Sequence, residues 1–174
     1  MKVILTLDDL DIDSNTLELD IADFHHRETA RAVVVDEEQA IALIYAATKS
    51  YYELPGGGIR VAESVKHALH REMFEEIGCK VGIIKELGIT EEYRHFNQSR
   101  QTSYWYLVKL VGDKGIPVYT TDEMQAGFGV CWVKNLDEAI EKIEYGIDEI
   151  KEHGLKLMRK RDLYILNIVK NSMF

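Results

Sequence analysis

Apolar positions change period several times along this chain, and each change marks an element. Val65, Ala68, Leu69, Met73 and Ile77 recur at three- and four-residue steps within 62–77, a stretch free of Gly and Pro. That spacing predicts a helix with one buried face, ended by Gly78. Ahead of it, β-branched and apolar runs at 29–36 and 39–45 flank Asp36, Glu37 and Glu38 and predict a hairpin. Residues 49–54 predict a further extended segment leading into Pro55, with Tyr52 packed beneath the following loop. After the helix, 80–86 and 102–111 read as strands separated by a polar connection, 90–101. The second strand is apolar on both alternating faces, as a central strand covered on both sides would be. A loop over 112–127 containing Pro117, a short strand at 130–133 and an amphipathic helix at 136–143 follow. The tail, 147–170, reads as helix broken near Gly154, and 1–28 predict two short strands, 2–7 and 16–21, around an Asp-rich turn.

Strands interleaved with helices predict an α/β (α+β) chain built on a mixed β-sheet. At 174 residues one domain can bury a core without staples, so 1–174 is read as a single domain. Within it, 1–28 form an N-terminal β extension, 29–145 the core and 146–174 a C-terminal helical tail.

Composition narrows the function classes. Charged residues at 29% and hydrophobic residues at 46% match ordinary soluble usage. A net charge of −9 argues against bulk nucleic-acid binding, which relies on basic surface. No apolar run approaches the ~18 residues of a membrane span, and the N-terminus is too short and acidic for a signal peptide. Cys79 and Cys131 lack CxxC or Cys/His spacing, which argues against zinc and suits buried thiols in a reducing cytoplasm. Asp8, Asp9, Asp11 and Asp13 lack the glycine and the closing Glu of a calcium loop and predict a solvated acidic loop. Lys156, Arg159, Lys160 and Arg161 predict a solvated basic face on the tail.

The chemistry concentrates between Leu54 and Val81. Gly56, Gly57 and Gly58 follow Pro55, so the backbone can approach a ligand closely. Glu72, Glu75 and Glu76 stand at i, i+3 and i+4 on one helix face, where each like-charge pair costs a few tenths of a kcal/mol, roughly. A divalent cation is the simplest compensation, and hard carboxylate oxygens suit Mg²⁺ or Mn²⁺.

Gly57, Glu63, Arg71, Glu72, Glu75, Glu76 and Gly78 also stand at the spacing of the Nudix box, and the stretch 57–79 resembles that motif of the Nudix hydrolase family. A chance match at one start is on the order of 10⁻⁸. Cys79 departs from the large aliphatic usual at the last position, but a buried Cys behaves as a small hydrophobe. The resemblance implies a Nudix-type α/β/α sandwich and metal-dependent attack of water on a diphosphate linkage in a nucleoside diphosphate joined to a group X. A nucleoside triphosphate or related nucleotide is the default substrate, and a non-catalytic nucleotide-binding or regulatory module is the alternative. The implied metal ligands are Glu72, Glu75, Glu76 and Gly56, with Glu72 and Glu76 catalytic. Arg71 is assigned to orienting a box glutamate, with Glu63 as partner. Glu123, in the loop after the last long strand, is the first candidate for a further Glu at the metals or the attacking water. Gly57, Gly58, Arg94 and Arg100 are candidate substrate contacts, and Tyr93, Phe96, Tyr104 and Phe128 could stack a base. The partner is a small nucleotide, with no bulk nucleic acid and no membrane; a homodimer is left open.

Overall fold

The computed structural model describes residues 1–13 and 15–172. Its elements in chain order are β1 (Val3–Asp8), β2 (His25–Val35), β3 (Ile41–Ala46), β4 (Tyr51–Glu53), β5 (Gly56–Gly58), α1 (Val65–Ile77), β6 (Lys80–Arg94), β7 (Ser99–Val111), α2 (Thr121–Ala126), β8 (Phe128–Val133), α3 (Leu136–Glu144) and α4 (His153–Ser172). One mixed sheet runs β1-β6-β7-β2-β3-β4, with β5 added to β2 and β8 to β3. β1 is parallel to β6 and β2 parallel to β7, while β6 and β7 are antiparallel.

Period-2 alternation divides the sheet between two cores. Ala30, Ala32, Val34, Tyr106 and Val108 face Ala68, Leu69, Met73 and Ile77 of α1. Val33, Val35, Trp105 and Leu107 face Ala139 and Ile143 of α3 and Ile165, Leu166 and Val169 of α4. The α/β/α layering expected from sequence therefore forms, with β7 central between β6 and β2. Trp105 is fully buried because its Nε1 donates to Thr90 Oγ1 at 2.9 Å.

Several elements differ from the sequence reading. The polar stretch 90–101 is mostly strand: β6 and β7 stay paired from Val81 opposite Leu110 to Arg94 opposite Ser99. Bulges between Ile83 and Lys85 and between Glu86 and Gly88 let β6 continue, and β1 pairs along its far end. Residues 16–21 form no strand; a short 3-10 turn at Ile21–Asp23 forms instead, capped by Asp20. The hairpin closes at Val35 opposite Ile41, after which β2 takes β5 and β7 as partners. Part of the expected 112–127 loop is α2.

Residues 147–152 of the tail form no helix: α4 begins only at His153, so Gly154 sits in its first turn, where helical bonding is least demanding. Its basic residues are not all solvated. Arg161 is fully buried, with Nη1 donating to Glu92 Oε1 and Nε to Asp162 Oδ1. Arg159 donates to Ile143 O and Tyr145 O at the end of α3, completing carbonyls that a helix terminus leaves open. Asp9 is buried rather than solvated, its two oxygens accepting from His95 N and Phe96 N. Cys79 is buried and Cys131 half-buried, and both are free thiols. Among the described residues no helix is long and apolar enough to cross a membrane.

Candidate active site

The glycine run forms β5, antiparallel to β2, with Arg31 opposite Gly56 and Thr29 opposite Gly58. Gly56 has φ 136°, and a Cβ there would lie 2.5 Å from Arg31 Cα, so both conformation and space demand glycine. α1 starts at Val65, where Ser64 Oγ accepts from His67 N at 3.2 Å. It ends at Gly78, whose φ of 68° lets the chain reverse into β6.

Between those ends, α1 turns its carboxylates onto the glycine strand. Gly56 N donates to Glu76 Oε2 at 2.6 Å, and a Cβ on Gly57 would lie 2.6 Å from the Glu72 carboxyl carbon. Both glutamates are buried. Burial pushes both carboxyls above the usual carboxylate range, Glu76 well above it, where the neighbouring Glu53 charge adds to the effect.

Arg71 organises the acidic face. Its Nε and Nη2 grip Glu63, Nη1 reaches Glu72 Oε1 at 2.6 Å and Glu75 Oε2 at 2.9 Å, and Nη2 also donates to Gly58 O at 2.8 Å. Hydrogen bonding to Glu63 is the largest reason the guanidinium is held above its ordinary pKa; in return Arg71 holds the Glu63 carboxyl down at about 2. Glu75 also accepts from Arg60 Nη2 at 3.2 Å. Cation compensation for Glu72 and Glu75 is therefore already present in the chain as arginine, whereas Glu76 accepts from a backbone N–H and feels the Arg31 charge without forming an ion pair among the described residues.

That difference bears on metal binding. Glu76 is a buried carboxylate with no ion-pair partner among the described residues, beside buried Glu72, and such hard oxygen donors fit a divalent cation. Glu75 would have to leave its arginines to join them. The compact cluster of Asp8, Asp9 and His95 lies elsewhere. There Asp9 accepts two backbone N–H groups and His95 Nδ1 accepts from Leu19 N, so the group latches the N-terminal segment to the β6–β7 turn.

The remaining candidates scatter. Arg94 lies on β6, donating to Glu92 Oε2 at 2.7 Å, and lines a cavity with Arg31. Arg100 lies on β7, where alternation turns it from the face that carries Gln101; its Nη2 is 3.5 Å from His26 Nδ1. Glu123 stands in the first turn of α2, its Oε2 accepting from Thr120 N at 2.6 Å in a capping box. Its charge still reaches Glu53 and Tyr119, adding to the upward shift of each. Phe96 is exposed at the rim of the Arg94 cavity, whereas Tyr104 donates to Glu28 and Phe128 packs edge-on against Tyr119.

Sequence reading missed Glu53 and Arg31. Glu53 is buried on β4, and burial pushes its carboxyl up to about 6, partly offset by Arg31. Arg31 is 8% exposed, 4.0 Å from Glu53 and 3.2 Å from Leu54 O. A signal existed: a Glu before Leu54 and an Arg between Ala30 and Ala32 are charges in apolar strand runs.

This combination of mixed sheet, glycine strand and carboxylate-bearing helix defines a class. The NUDIX domain family model matches residues 25–153, and the chain belongs to that family. Among curated relatives, the RNA pyrophosphohydrolase of Hydrogenovibrio crunogenus is 24% identical over 121 residues, 62% of this chain and 73% of that protein. The RNA pyrophosphohydrolase of Blochmanniella pennsylvanica is 32% identical over 73 residues, 34% of this chain and 46% of that protein, so the match spans less than half of that relative. Among solved structures, an ADP-ribose pyrophosphatase from Streptococcus suis aligns with TM-score 0.51 and 21% identity, covering 83% of this chain and 91% of that one. The E. coli ORF135 protein aligns with TM-score 0.58 and 16% identity, covering 86% and 92%. These likenesses are of fold.

Proposed function

We propose that the chain is a pyrophosphohydrolase in which water attacks a diphosphate linkage of a small nucleotide, assisted by Mg²⁺ or Mn²⁺. The observation that carries this is the pair Glu72 and Glu76, buried against Gly57 and Gly56 with Glu76 in no ion pair among the described residues. Pyrophosphohydrolase and pyrophosphatase are also the names of the relatives above, which supports the reaction class. A divalent ion held by Glu72 and Glu76, joined by Glu75 and the Gly56 carbonyl, would supply charge neutralisation at phosphate oxygens and a more acidic bound water. The chain's own contribution is positional. Arg71 fixes the rotamers of Glu63 and Glu72 and ties the helix to Gly58 O, so the carboxylates are presented at one place. Glu123, whose capping bond is exposed and replaceable by water, is assigned to the attacking water. The two free thiols favour a reducing cytoplasm.

The test is turnover on a panel of nucleoside triphosphates, nucleoside diphosphate sugars, dinucleoside polyphosphates and a 5′-triphosphorylated oligoribonucleotide, with and without Mg²⁺ or Mn²⁺. Metal-dependent release of phosphate, diphosphate or a monophosphate product from at least one small nucleotide is expected. No metal-dependent turnover anywhere on the panel between pH 7 and 9 would overturn the reading in favour of a binding module.

A further inference from the structure

Gly56 of β5 meets Glu76 of α1, and the chain enters β5 from β4 through two residues, Leu54 and Pro55. Pro55 carries no N–H, so Leu54 N is the one backbone donor of that link. Leu54 is fully buried, and its polar backbone groups need partners within the protein. Leu54 O accepts from Arg31 Nη1 at 3.2 Å, and Pro55 O accepts from Ala32 N at 3.1 Å. Both donors belong to β2, the strand that β5 pairs with. Leu54 N is held from elsewhere. It donates at 2.8 Å to Asp162 Oδ2, a carboxylate 108 residues further along the chain, on α4. Apart from His153, α4 lies outside the residues matched to the family.

Asp162 is itself fixed in place. It is fully buried, and its second oxygen, Oδ1, accepts from Arg161 Nε at 2.9 Å. Arg161 is braced in turn: Nη1 donates to Glu92 Oε1 on β6 at 2.7 Å, and the guanidinium lies 5.3 Å from the centre of the Trp105 ring. A buried ion pair adds little net stability over apolar residues of the same volume. What the Arg161–Asp162 pair supplies is a rigid, charged acceptor for a single backbone N–H, a stronger bond than one between two amides. The Leu54 side chain belongs to the same apolar cluster as Ile165, Leu166 and Val169 of that helix. One residue then separates Leu54 from Gly56, whose N donates to Glu76 Oε2 at 2.6 Å. That residue is Pro55, with φ fixed by its ring, so a displacement of Leu54 passes to Gly56 with little slack.

We propose that Asp162 is a positioning residue for the hydrolytic site: through Leu54 and Pro55 it sets Gly56 against Glu76, and the C-terminal helix is part of the site's construction. Its role in turnover rests on the pyrophosphohydrolase reading. The mechanical link from Asp162 to Gly56 does not depend on that reading.

Three variants carry the test, each measured at a temperature where circular dichroism shows it folded. Asp162→Ala removes the acceptor. The double variant Arg161→Met with Asp162→Leu removes it without changing net charge or leaving a lone buried cation. Val169→Ala truncates a buried side chain on the same helix and controls for loss of packing. In metal-free protein, amide hydrogen exchange at Gly56 is compared with that at Met73, in the middle of α1. Relative to Met73, Gly56 is expected to exchange at least about tenfold faster in both Asp162 variants, whereas in Val169→Ala the two amides accelerate together. With Mg²⁺ and the best nucleotide of the panel, kcat is expected to fall at least about tenfold in both Asp162 variants with KM within about threefold, because the reacting geometry moves while substrate contacts remain. Val169→Ala is expected to keep kcat within about threefold of the parent. Should Asp162→Ala not fold, the double variant decides. Gly56 exchange that follows Met73 in the Asp162 variants overturns the proposal, and so does a kcat there within about threefold of the parent. Selective loss of Gly56 protection in a protein whose parent hydrolyses no nucleotide retains the link from Asp162 to Gly56 and removes the hydrolase reading.

Discussion

Arg71 holds Glu63 with two parallel bonds, Nε to Oε1 and Nη2 to Oε2, both 2.8 Å long. The fork keeps Arg71 in place so that its remaining donor can meet Glu72 and Glu75. Glu63→Gln removes one charge of the grip and is expected to cost about 1 to 2 kcal/mol of stability. The pH sign is fixed by direction: the folded carboxyl sits at about 2, below its ordinary 4.5. Its contribution is thus complete above pH 4.5 and is lost as pH falls toward 2. Melting curves of parent and variant over that range should converge at the acid end. Curves that stay equally separated at every pH would show that the pair does not act through ionisation.

Glu76→Gln should separate stability from activity. The amide oxygen can still accept from Gly56 N, and the buried charge beside Glu53 and Glu72 is removed. Metal-free melting temperature is expected to stay level or rise, while turnover falls at least a hundredfold, roughly the scale of losing a group that acts on the reacting atoms. Saturating Mg²⁺ should raise the parent's melting temperature more than the variant's. A loss of metal-free stability above about 2 kcal/mol with the Mg²⁺ shift intact would make Glu76 structural.

Glu53 gives the opposite pH slope to Glu63. Its folded carboxyl sits at about 6, above the ordinary 4.5, chiefly through burial. Ionising it therefore favours the unfolded state, and its effect is to lower metal-free stability as pH rises from 4.5 to about 6, by about 2 kcal/mol. Glu53→Gln should remove that slope. An unaltered stability profile in the variant would assign the slope to another group.

Glu123→Gln tests the assignment of the attacking water. Glutamine can serve at the same capping-box position, so the fold of α2 should survive. Turnover is expected to fall by about two orders of magnitude. A rate within threefold of the parent would leave Glu123 as a helix cap only and direct attention to Glu53, which lines the arginine cavity.

The sequence by itself determined the local elements and the chemistry they carry. The three- and four-residue spacing of apolar positions produced α1 with Glu72, Glu75 and Glu76 together, because neighbours on a helix surface follow from chain geometry alone. The Arg71–Glu63 pairing was legible for the same reason: both lie on one loop-to-helix segment. The two-faced apolar run of β7 likewise announced a strand covered on both sides.

What only the tertiary structure decided is how residues distant in sequence share space. Arg94 was expected in a polar loop, yet pairing with β1 and β7 drew that stretch into a strand, since backbone partners from elsewhere outweigh local polarity. Arg161 was expected at the surface, yet it is fully buried because Glu92, far away in sequence, neutralises it. Arg31 and Glu53 carried no spacing signal because they lie on different strands, and only the seating of β4 and β5 at the end of β2 and β3 brought them to one cavity. Periodicity reports which face a residue occupies; which other residues face it is set by sheet order, and sheet order is a long-range property of the whole chain.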